Sequence, residues 1–245
     1  MTRLNGKIAI VSGSSRGMGA GIASRLAAEG AAVVINDAAD GEGASRIAAD
    51  IVRRGGRAVA VRGDVSRPQD VKRIFRTTVE IFGRPDIVFN NAGIFRVEPA
   101  ETETHASAHR AFAVNVFGTF LMCQEAARQF GDNGGIIVNM SAMENRGAAP
   151  DADAYSAIKG AIDLLTLGLA REFAGRGIRV VSIDTADFDA QDLAEPDVRE
   201  KTARRSAGLT PLRRGRLTGA GTVLASDDVA FIRNECVAST GWRGW

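Results

Sequence analysis

The sequence predicts an α/β fold, with a doubly wound parallel sheet of about seven strands in a three-layer sandwich. Short continuous apolar runs recur along the 245 residues, which is typical of strands buried on both faces of a parallel sheet. Longer stretches with helical apolar spacing lie between these runs, and such units pack through right-handed crossovers. No linker, repeat or change of composition interrupts the pattern, so residues 1–245 are expected to form one domain.

The alternation of strand and helix can be followed from the first apolar run to the sixth. The predicted strands are 8–11, 32–36, 58–61, 87–89, 135–140 and 178–183. The predicted helices are 17–30, 43–54, 68–82, 106–130 with an interruption at Asn115 and Gly118, and 155–174. Ligands of such sheets bind beyond the carboxyl ends of the strands, so the residues that follow each strand are the candidates for function.

The turn after the first strand is rich in glycine. Gly13 allows a tight bend, Gly17 allows the backbone to approach a ligand, and Gly19 allows close packing of the following helix. The free N–H groups at the start of that helix favour a pyrophosphate. A plain strand-to-helix turn is the alternative, but the G-x-x-x-G-x-G spacing favours a dinucleotide site.

Asp37 follows the second strand and bears on the choice of cofactor. A carboxylate at this point can accept hydrogen bonds from a ribose 2′-hydroxyl and would repel a 2′-phosphate, which favours NAD(H). Arg16 in the glycine turn could instead reach a 2′-phosphate, so NADP(H) stays an alternative. Asp37 could also serve only as a turn or cap residue.

Tyr155 and Lys159 are four residues apart at the head of a predicted helix and therefore share one face. A nearby ammonium favours the phenolate and lowers the tyrosine pKa from its ordinary ~10. A phenol tuned in this way can exchange a proton with a carbonyl or hydroxyl group. The spacing alone is common on exposed helices, so its meaning depends on the surrounding motifs.

Composition and charge exclude several other classes of function. The 31 basic and 29 acidic residues give a net charge of +2, which offers no reason to expect nucleic acid or an anionic membrane as partner. The N-terminus has no signal-peptide pattern, and no apolar run is long enough to span a bilayer. Cys123 and Cys236 lack metal or redox spacing and fit a reducing compartment, so the expected location is the cytoplasm.

Three clusters of charged or metal-binding residue types are expected to be solvated surface. His105 and His109 lack a third ligand in the nearby sequence, so no metal site is expected. The acidic residues after the sixth strand (184, 187, 189 and 192) lack the spacing of a calcium loop. Arginines at 204, 205, 213, 214 and 216 could receive an acidic substrate, although exposure to solvent is the default.

Taken together, the motifs resemble those of the classical short-chain dehydrogenase/reductase family over about residues 4–228. The matching motifs are Gly13-x-x-x-Gly17-x-Gly19, Asp64-Val65, Asn90-Asn91-Ala92-Gly93, Asn115 and Tyr155-x-x-x-Lys159. The resemblance implies a Rossmann-like fold and hydride transfer at a nicotinamide. It also implies a homodimer or homotetramer, formed through the helices 106–130 and 155–174.

The resemblance assigns roles to individual residues. Tyr155 would be the acid/base, Lys159 would bind the ribose and lower the tyrosine pKa, and Asn115 would hold a water for proton relay. The implied catalytic residues are Tyr155, Lys159, Asn115 and Ser141. The implied cofactor-binding residues are Gly13, Ser15, Arg16, Gly17, Met18, Gly19, Asp37, Asp64, Val65, Asn91, Ala92, Gly93, Tyr155 and Lys159.

The chain departs from the family pattern at three places. The family's catalytic serine corresponds to Ala142, one residue after Ser141, and a one-residue shift turns an extended side chain to the other face unless a bulge intervenes. Glu144 and Asn145 could replace the missing hydroxyl. The usual Pro-Gly pair after the sixth strand is replaced by residues 184–186, Asp-Thr-Ala. The stretch 215–228 lacks the family's usual proline and acidic helix start, and the tail 238–245 also differs from the family's.

Two hypotheses follow from these observations. The first is an NAD(P)-dependent oxidoreductase that interconverts a secondary alcohol and a ketone, with a substrate lid at about 187–214. The second is a dinucleotide-binding protein of this fold with weak or no redox activity, motivated by Ala142 and residues 184–186. The sequence does not identify the substrate.

Overall fold

The computed structural model describes residues 2–95, 99–141, 153–184, 214–226, 228 and 236–237. These residues form one seven-stranded sheet in the order β3-β2-β1-β4-β5-β6-β7, and every pairing is parallel. The strands are β1 Ile8–Val11, β2 Ala32–Asp37, β3 Arg57–Arg62, β4 Ile87–Asn90, β5 Gly135–Ser141, β6 Ile178–Asp184 and β7 Cys236–Val237. This confirms the predicted doubly wound α/β fold.

Helices connect consecutive strands and cover the sheet. They are α1 Gly17–Ala28, α2 Gly41–Arg53, α3 Pro68–Ile81, α4 His105–Phe112, α5 Thr119–Phe130, α6 Asp153–Phe173 and α7 Arg214–Ala225. A π-helical segment, Ala113–Gly118, joins α4 to α5. The predicted interruption at Asn115 and Gly118 is therefore a local widening of a helical stretch that continues on both sides.

Alternate residues of strands β1 to β6 belong to different cores. Ala9, Val33 and Val138 belong to a cluster with residues of α1, α2 and α7, whereas Ile10 and Ile137 belong to one with residues of α3, α5 and α6. Because successive side chains of a strand point to opposite faces, continuous apolar strands require a helical layer on each side. The two clusters are those two interfaces, which gives the three-layer arrangement.

The order of the strands determines where the candidate ligand site lies. Since β1 lies between β2 and β4, the strand order reverses at this point, and the segments after these strands meet at one edge of the sheet. Within the described ranges, no helix is long and apolar enough to cross a membrane. The predicted lid, apart from residue 214, and the tail 238–245 lie outside the described residues, as do positions 142, 144, 145, 185 and 186.

Candidate active site

The glycine turn between β1 and α1 is fixed by close contacts between backbone segments. Gly13 has a φ of 61°, and a Cβ atom there would lie 2.7 Å from Ala92 Cα. A Cβ atom at Gly19 would lie 2.4 Å from the Gly13 carbonyl oxygen and 2.5 Å from Asn91 Nδ2. The turn therefore has no room for side chains at these positions, and it packs directly on the segment after β4.

Ser12 joins this turn to the end of β4, a role that the sequence analysis missed. Its hydroxyl accepts hydrogen bonds from the backbone N–H groups of Asn91, at 3.1 Å, and Ala92, at 3.0 Å. In return, Asn91 Nδ2 donates to the carbonyls of Ser12, at 3.0 Å, and Gly13, at 2.8 Å. A hydroxyl residue directly before the first glycine could have indicated this role. Its hydrogen-bond partners follow only from the adjacency of β1 and β4.

The N-terminus of α1 differs from those of α2 and α4. The side chain of Asp40 accepts from Gly43 N at the start of α2, and Thr104 caps α4 in the same way. At α1 the capping position is the extended residue Arg16, which makes no side-chain capping bond, and the first turn has no acidic residue. Orphan N–H groups at a helix start suit a phosphate, so this turn fits the pyrophosphate of a dinucleotide.

Asp37 ends β2 beside the glycine turn. One carboxylate oxygen accepts from the backbone N–H groups of Ala39, at 2.9 Å, and Asp40, at 2.8 Å, and the other accepts from Ser15 Oγ at 2.7 Å. The residue thus shapes its own turn and is held against the glycine turn. Arg62, opposite Asp37 in the sheet, donates from Nε to the Ala38 carbonyl at 3.2 Å, so a cation lies beside the turn that Asp37 shapes.

Asp64 is already engaged by protein donors. Ser66 donates to Oδ1 from its backbone N–H, at 3.0 Å, and from its hydroxyl, at 2.6 Å, while Arg110 of α4 donates to Oδ2 at 2.9 Å. Burial raises the pKa of Asp64, but the hydrogen bonds from Ser66 and Arg110 outweigh it and hold the pKa below its ordinary value. Val65 is buried under the π-helical segment, where a Cβ atom on Gly118 would lie 2.7 Å from Val65 Cγ2.

Asn115 lies in the π-helical segment and is almost completely buried. Its Oδ1 accepts from Ile94 N at 2.7 Å, and its Nδ2 donates to the Ile94 carbonyl at 2.8 Å. The side chain therefore fixes the backbone of the segment after β4. The water relay expected from the family resemblance stays a prediction.

Tyr155 and Lys159 lie on the first turns of α6, as the spacing predicts. Lys159 Nζ donates to the Met140 carbonyl of β5 at 2.8 Å and lies 5.3 Å from the centroid of the Tyr155 ring. Phe95, from the segment after β4, meets the same ring edge-on, with centroids 4.6 Å apart and planes at 89°. The ring is thus bounded by a cation from its own helix and by an aromatic ring from another segment.

Ser141 is the last residue of β5 and lies opposite Asp184 of β6. Two residues earlier, Asn139 donates from Nδ2 to Thr166 Oγ1 of α6 at 2.8 Å, so alternation along the strand places Ser141 on the face that α6 covers. Ser141 is fully buried. Ala142, the position of the family serine, lies outside the described residues, so the role of Ser141 stays a prediction.

Two further expectations concern metals and assembly. His105 and His109 stack with ring centroids 6.0 Å apart, and among the described residues no group of three or more His, Cys, Asp or Glu side chains could hold a metal ion. Large apolar side chains are exposed on the π-helical segment and on α5 and α6, including Phe117 at 65% and Leu164 at 73%.

Comparison with known proteins agrees with this architecture. A family model described as enoyl-(acyl carrier protein) reductase matches residues 13–241. 3Beta-hydroxysteroid dehydrogenase 1 of Eggerthella lenta is 36% identical over 239 residues, which cover 94% of this chain and 90% of that protein.

Two solved structures carry the comparison further. The chain matches a dehydrogenase/reductase from Sinorhizobium meliloti 1021 with a TM-score of 0.88 and 35% identity, covering 97% of this chain and 94% of that one. It matches a short-chain dehydrogenase from Burkholderia cenocepacia J2315, in complex with NADP, with a TM-score of 0.86 and 31% identity over 98% of both chains. On the fold, the motif geometry and these matches, the chain belongs to the short-chain dehydrogenase/reductase family of oxidoreductases.

Proposed function

We propose that the protein interconverts a secondary alcohol and a ketone, with NAD(P) as the hydride carrier and Tyr155 as acid/base. One observation carries this proposal. The Tyr155 phenol ring, the Lys159 ammonium and the segment after β4 meet at the carboxyl-terminal edge of the sheet. The glycine turn is joined to that same segment through Ser12 and Asn91. An acid/base and a dinucleotide cradle thus share one edge.

The chain's residues divide the work of the reaction. When bound, the nicotinamide ring supplies a hydride to the carbonyl carbon or accepts one from the alcohol carbon. Tyr155 donates a proton to the substrate oxygen during reduction and takes it back during oxidation. The Lys159 ammonium stabilises the phenolate, because an opposite charge nearby favours the ionised form. The proposal gives Ser141 the task of positioning the substrate oxygen and Asn115 that of supporting proton transfer.

The cofactor is proposed to lie along the edge from Asp37 to Tyr155. The uncapped start of α1 would receive the pyrophosphate, and Lys159 would hold the nicotinamide ribose. The adenosine end would lie near Asp37, Asp64 and Val65. Because Asp64 already accepts from Ser66 and Arg110, it offers the adenine less free hydrogen-bonding capacity than the sequence motif implies.

We propose NAD(H) as the preferred cofactor because the Asp37 carboxylate would repel a 2′-phosphate. Ser15 and the turn amides orient this carboxylate. Equilibrium titration of NADH and NADPH by fluorescence tests the preference, and Asp37→Ala should reduce the NADH advantage about tenfold or more. Asp50→Ala is the matched control, because it removes a half-buried carboxylate of α2 that pairs with Arg53. Wild-type protein that bound NADPH as well as NADH would contradict the assignment and would point to Arg16 and Arg62 instead.

The proposal includes the assembly and the domain. Residues 1–245 are taken as one domain with a substrate lid at about 187–214, and the exposed apolar residues of α5 and α6 as contacts of a homodimer or homotetramer. Light scattering on wild-type protein and on Leu164→Lys tests the contact, which should weaken because association would bury an unpaired charge in place of a leucine. A monomeric wild-type protein would contradict it.

Turnover is the main test of the proposed function. A screen of diverse alcohols and ketones at the nicotinamide absorbance should find turnover, and Tyr155→Phe should lower kcat by about 10²-fold or more while NADH still binds. Tight NADH binding without turnover on any substrate, and with no effect of Tyr155→Phe, would instead favour the second hypothesis. In that case the protein binds a dinucleotide but has weak or no redox activity.

A further inference from the structure

The aromatic contact of Tyr155 has no role in the family motif. Phe95 and Tyr155 approach edge to face at 4.6 Å between centroids, and both residues are half-buried. Perpendicular rings at this distance attract each other beyond the area that they bury, because the positive edge of one meets the negative face of the other. The contact therefore favours one orientation of the tyrosine ring.

The segment that carries Phe95 is itself held firmly. The Asn115 side-chain amide accepts from Ile94 N through Oδ1 and donates from Nδ2 to the Ile94 carbonyl, and Ile94 is the residue before Phe95. Ile94 also packs against the apolar cluster formed by Ala111 with Ile158 and Ile162 of α6. Phe95 thus follows a backbone segment that is hydrogen-bonded to Asn115 and packed against α6, the helix on which Tyr155 lies.

Lys159 lies near the same ring. Its ammonium is 5.3 Å from the ring centroid and is tied to the Met140 carbonyl. Of the two described ring contacts, Lys159 brings a positive charge and Phe95 carries none. A ring that tilted away from Phe95 would change its distance from this charge. The Coulomb energy between the ammonium and the phenolate varies inversely with that distance.

We propose that Phe95 is a positioning residue for the reaction, which holds the Tyr155 ring where its phenol can exchange a proton beside Lys159. The inference rests on the proposed function, since it assigns Phe95 a part in the same proton transfer. Phe95 acts through Tyr155 and has no chemistry of its own. The effect is orientational, and misplacement of a reacting group by a small distance is known to lower rates strongly.

Steady-state kinetics of two Phe95 variants test whether Phe95 positions the Tyr155 ring. Phe95→Leu keeps an apolar side chain but removes the ring, and it should lower kcat about three- to tenfold while the Kd for NADH stays unchanged. Phe95→Tyr keeps the ring and should restore kcat to within about twofold of wild type. Phe82→Leu is the matched control, because Phe82 is a half-buried phenylalanine that contacts Arg57 instead of Tyr155.

A second readout needs no turnover, because Tyr155 is the chain's single tyrosine. The near-ultraviolet absorbance of tyrosinate therefore follows this phenol alone, and Phe95→Leu should move its midpoint to higher pH while Phe82→Leu leaves it unchanged. An unchanged midpoint, or an unchanged kcat, would overturn the proposal. Failure of the proposed function has a different signature, namely no turnover of the wild-type protein on any substrate, or turnover that Tyr155→Phe leaves unchanged.

Discussion

The glycine turn after β1 and the head of α6 are held in place in different ways. Backbone groups and short side chains fix the turn, because Gly13 and Gly19 lie against neighbouring backbone and Ser12 bonds the amides after β4. Long side chains fix the head of α6, through Lys159 on Met140 and Phe95 on Tyr155.

Because of this difference, substitutions in the turn and at the head of α6 should affect different properties, folding stability in the first case and the reaction rate in the second. A substitution in the turn must displace backbone that belongs to the core of the fold, so it should reduce both folding stability and cofactor binding. A substitution at the head of α6 removes contacts between half-buried side chains, so it should reduce the rate while the fold remains. Four substitution or pH experiments can break or sharpen this comparison.

The largest effect is expected at the head of α6. Lys159→Met removes the ammonium beside the phenol and should lower kcat by about 10²-fold, because the phenolate loses its stabilising charge. Thermal unfolding should change little. A clearly lower thermal midpoint of unfolding in Lys159→Met would contradict the separation of stability from rate, since Lys159 would then be structural.

Gly19→Ala tests the turn. The added Cβ would lie 2.4 Å from the Gly13 carbonyl, and the forced shift should cost about 1–3 kcal/mol of unfolding free energy and weaken NADH binding. Gly41→Ala is the matched control, because nothing lies within 4 Å of a Cβ atom there. Denaturant unfolding gives the unfolding free energy of both variants. Equal values would contradict the prediction, because the turn would then accommodate a Cβ atom at Gly19 without cost.

Ser12→Ala should have a smaller effect of the same kind. It leaves the part-buried Asn91 and Ala92 amides without their side-chain acceptor, and a typical hydrogen bond contributes about 0.5–1.5 kcal/mol to stability. Ser45→Ala, which removes an exposed hydroxyl that bonds the Gly41 carbonyl, is the control. Denaturant unfolding and NADH titration should both weaken for Ser12→Ala alone.

The smallest effect concerns the core near β5. Burial raises the pKa of the Cys123 thiol to about 12, despite its hydrogen bonds to Asn139 Oδ1 and from Asn90 Nδ2. An unfolded thiol titrates near ~8.5, so this contribution to stability is complete below that pH and is lost as pH rises towards the folded value. Cys123→Ala should flatten this part of the alkaline decline. Identical alkaline slopes in the two proteins would contradict the assignment.

Local sequence patterns predicted the parts of the site that local geometry determines. The G-x-x-x-G-x-G turn and the Tyr155–Lys159 spacing depend on a few neighbouring residues, and the structure places both where the pattern indicated. The continuous apolar strands likewise predicted a sheet covered on both faces. The two-residue strand β7 was not located, because so short a segment has no periodicity.

Contacts between distant segments could not be read from the chain. The partners of Ser12 depend on the adjacency of β1 and β4, and the Phe95 contact depends on where the segment after β4 meets α6. The hold of Arg110 on Asp64 similarly joins α4 to the segment after β3. Each pair is set by strand order and helix packing, which no single stretch of sequence encodes.

The central claim is that Lys159 tunes Tyr155 for proton transfer, and titration of the single tyrosine tests it most directly. Tyrosinate absorbance should be followed against pH in wild-type protein and in Lys159→Met. The account predicts a wild-type midpoint below the ordinary ~10 and a higher midpoint in the variant, because the phenolate loses a neighbouring positive charge. Equal midpoints in the two proteins would contradict it.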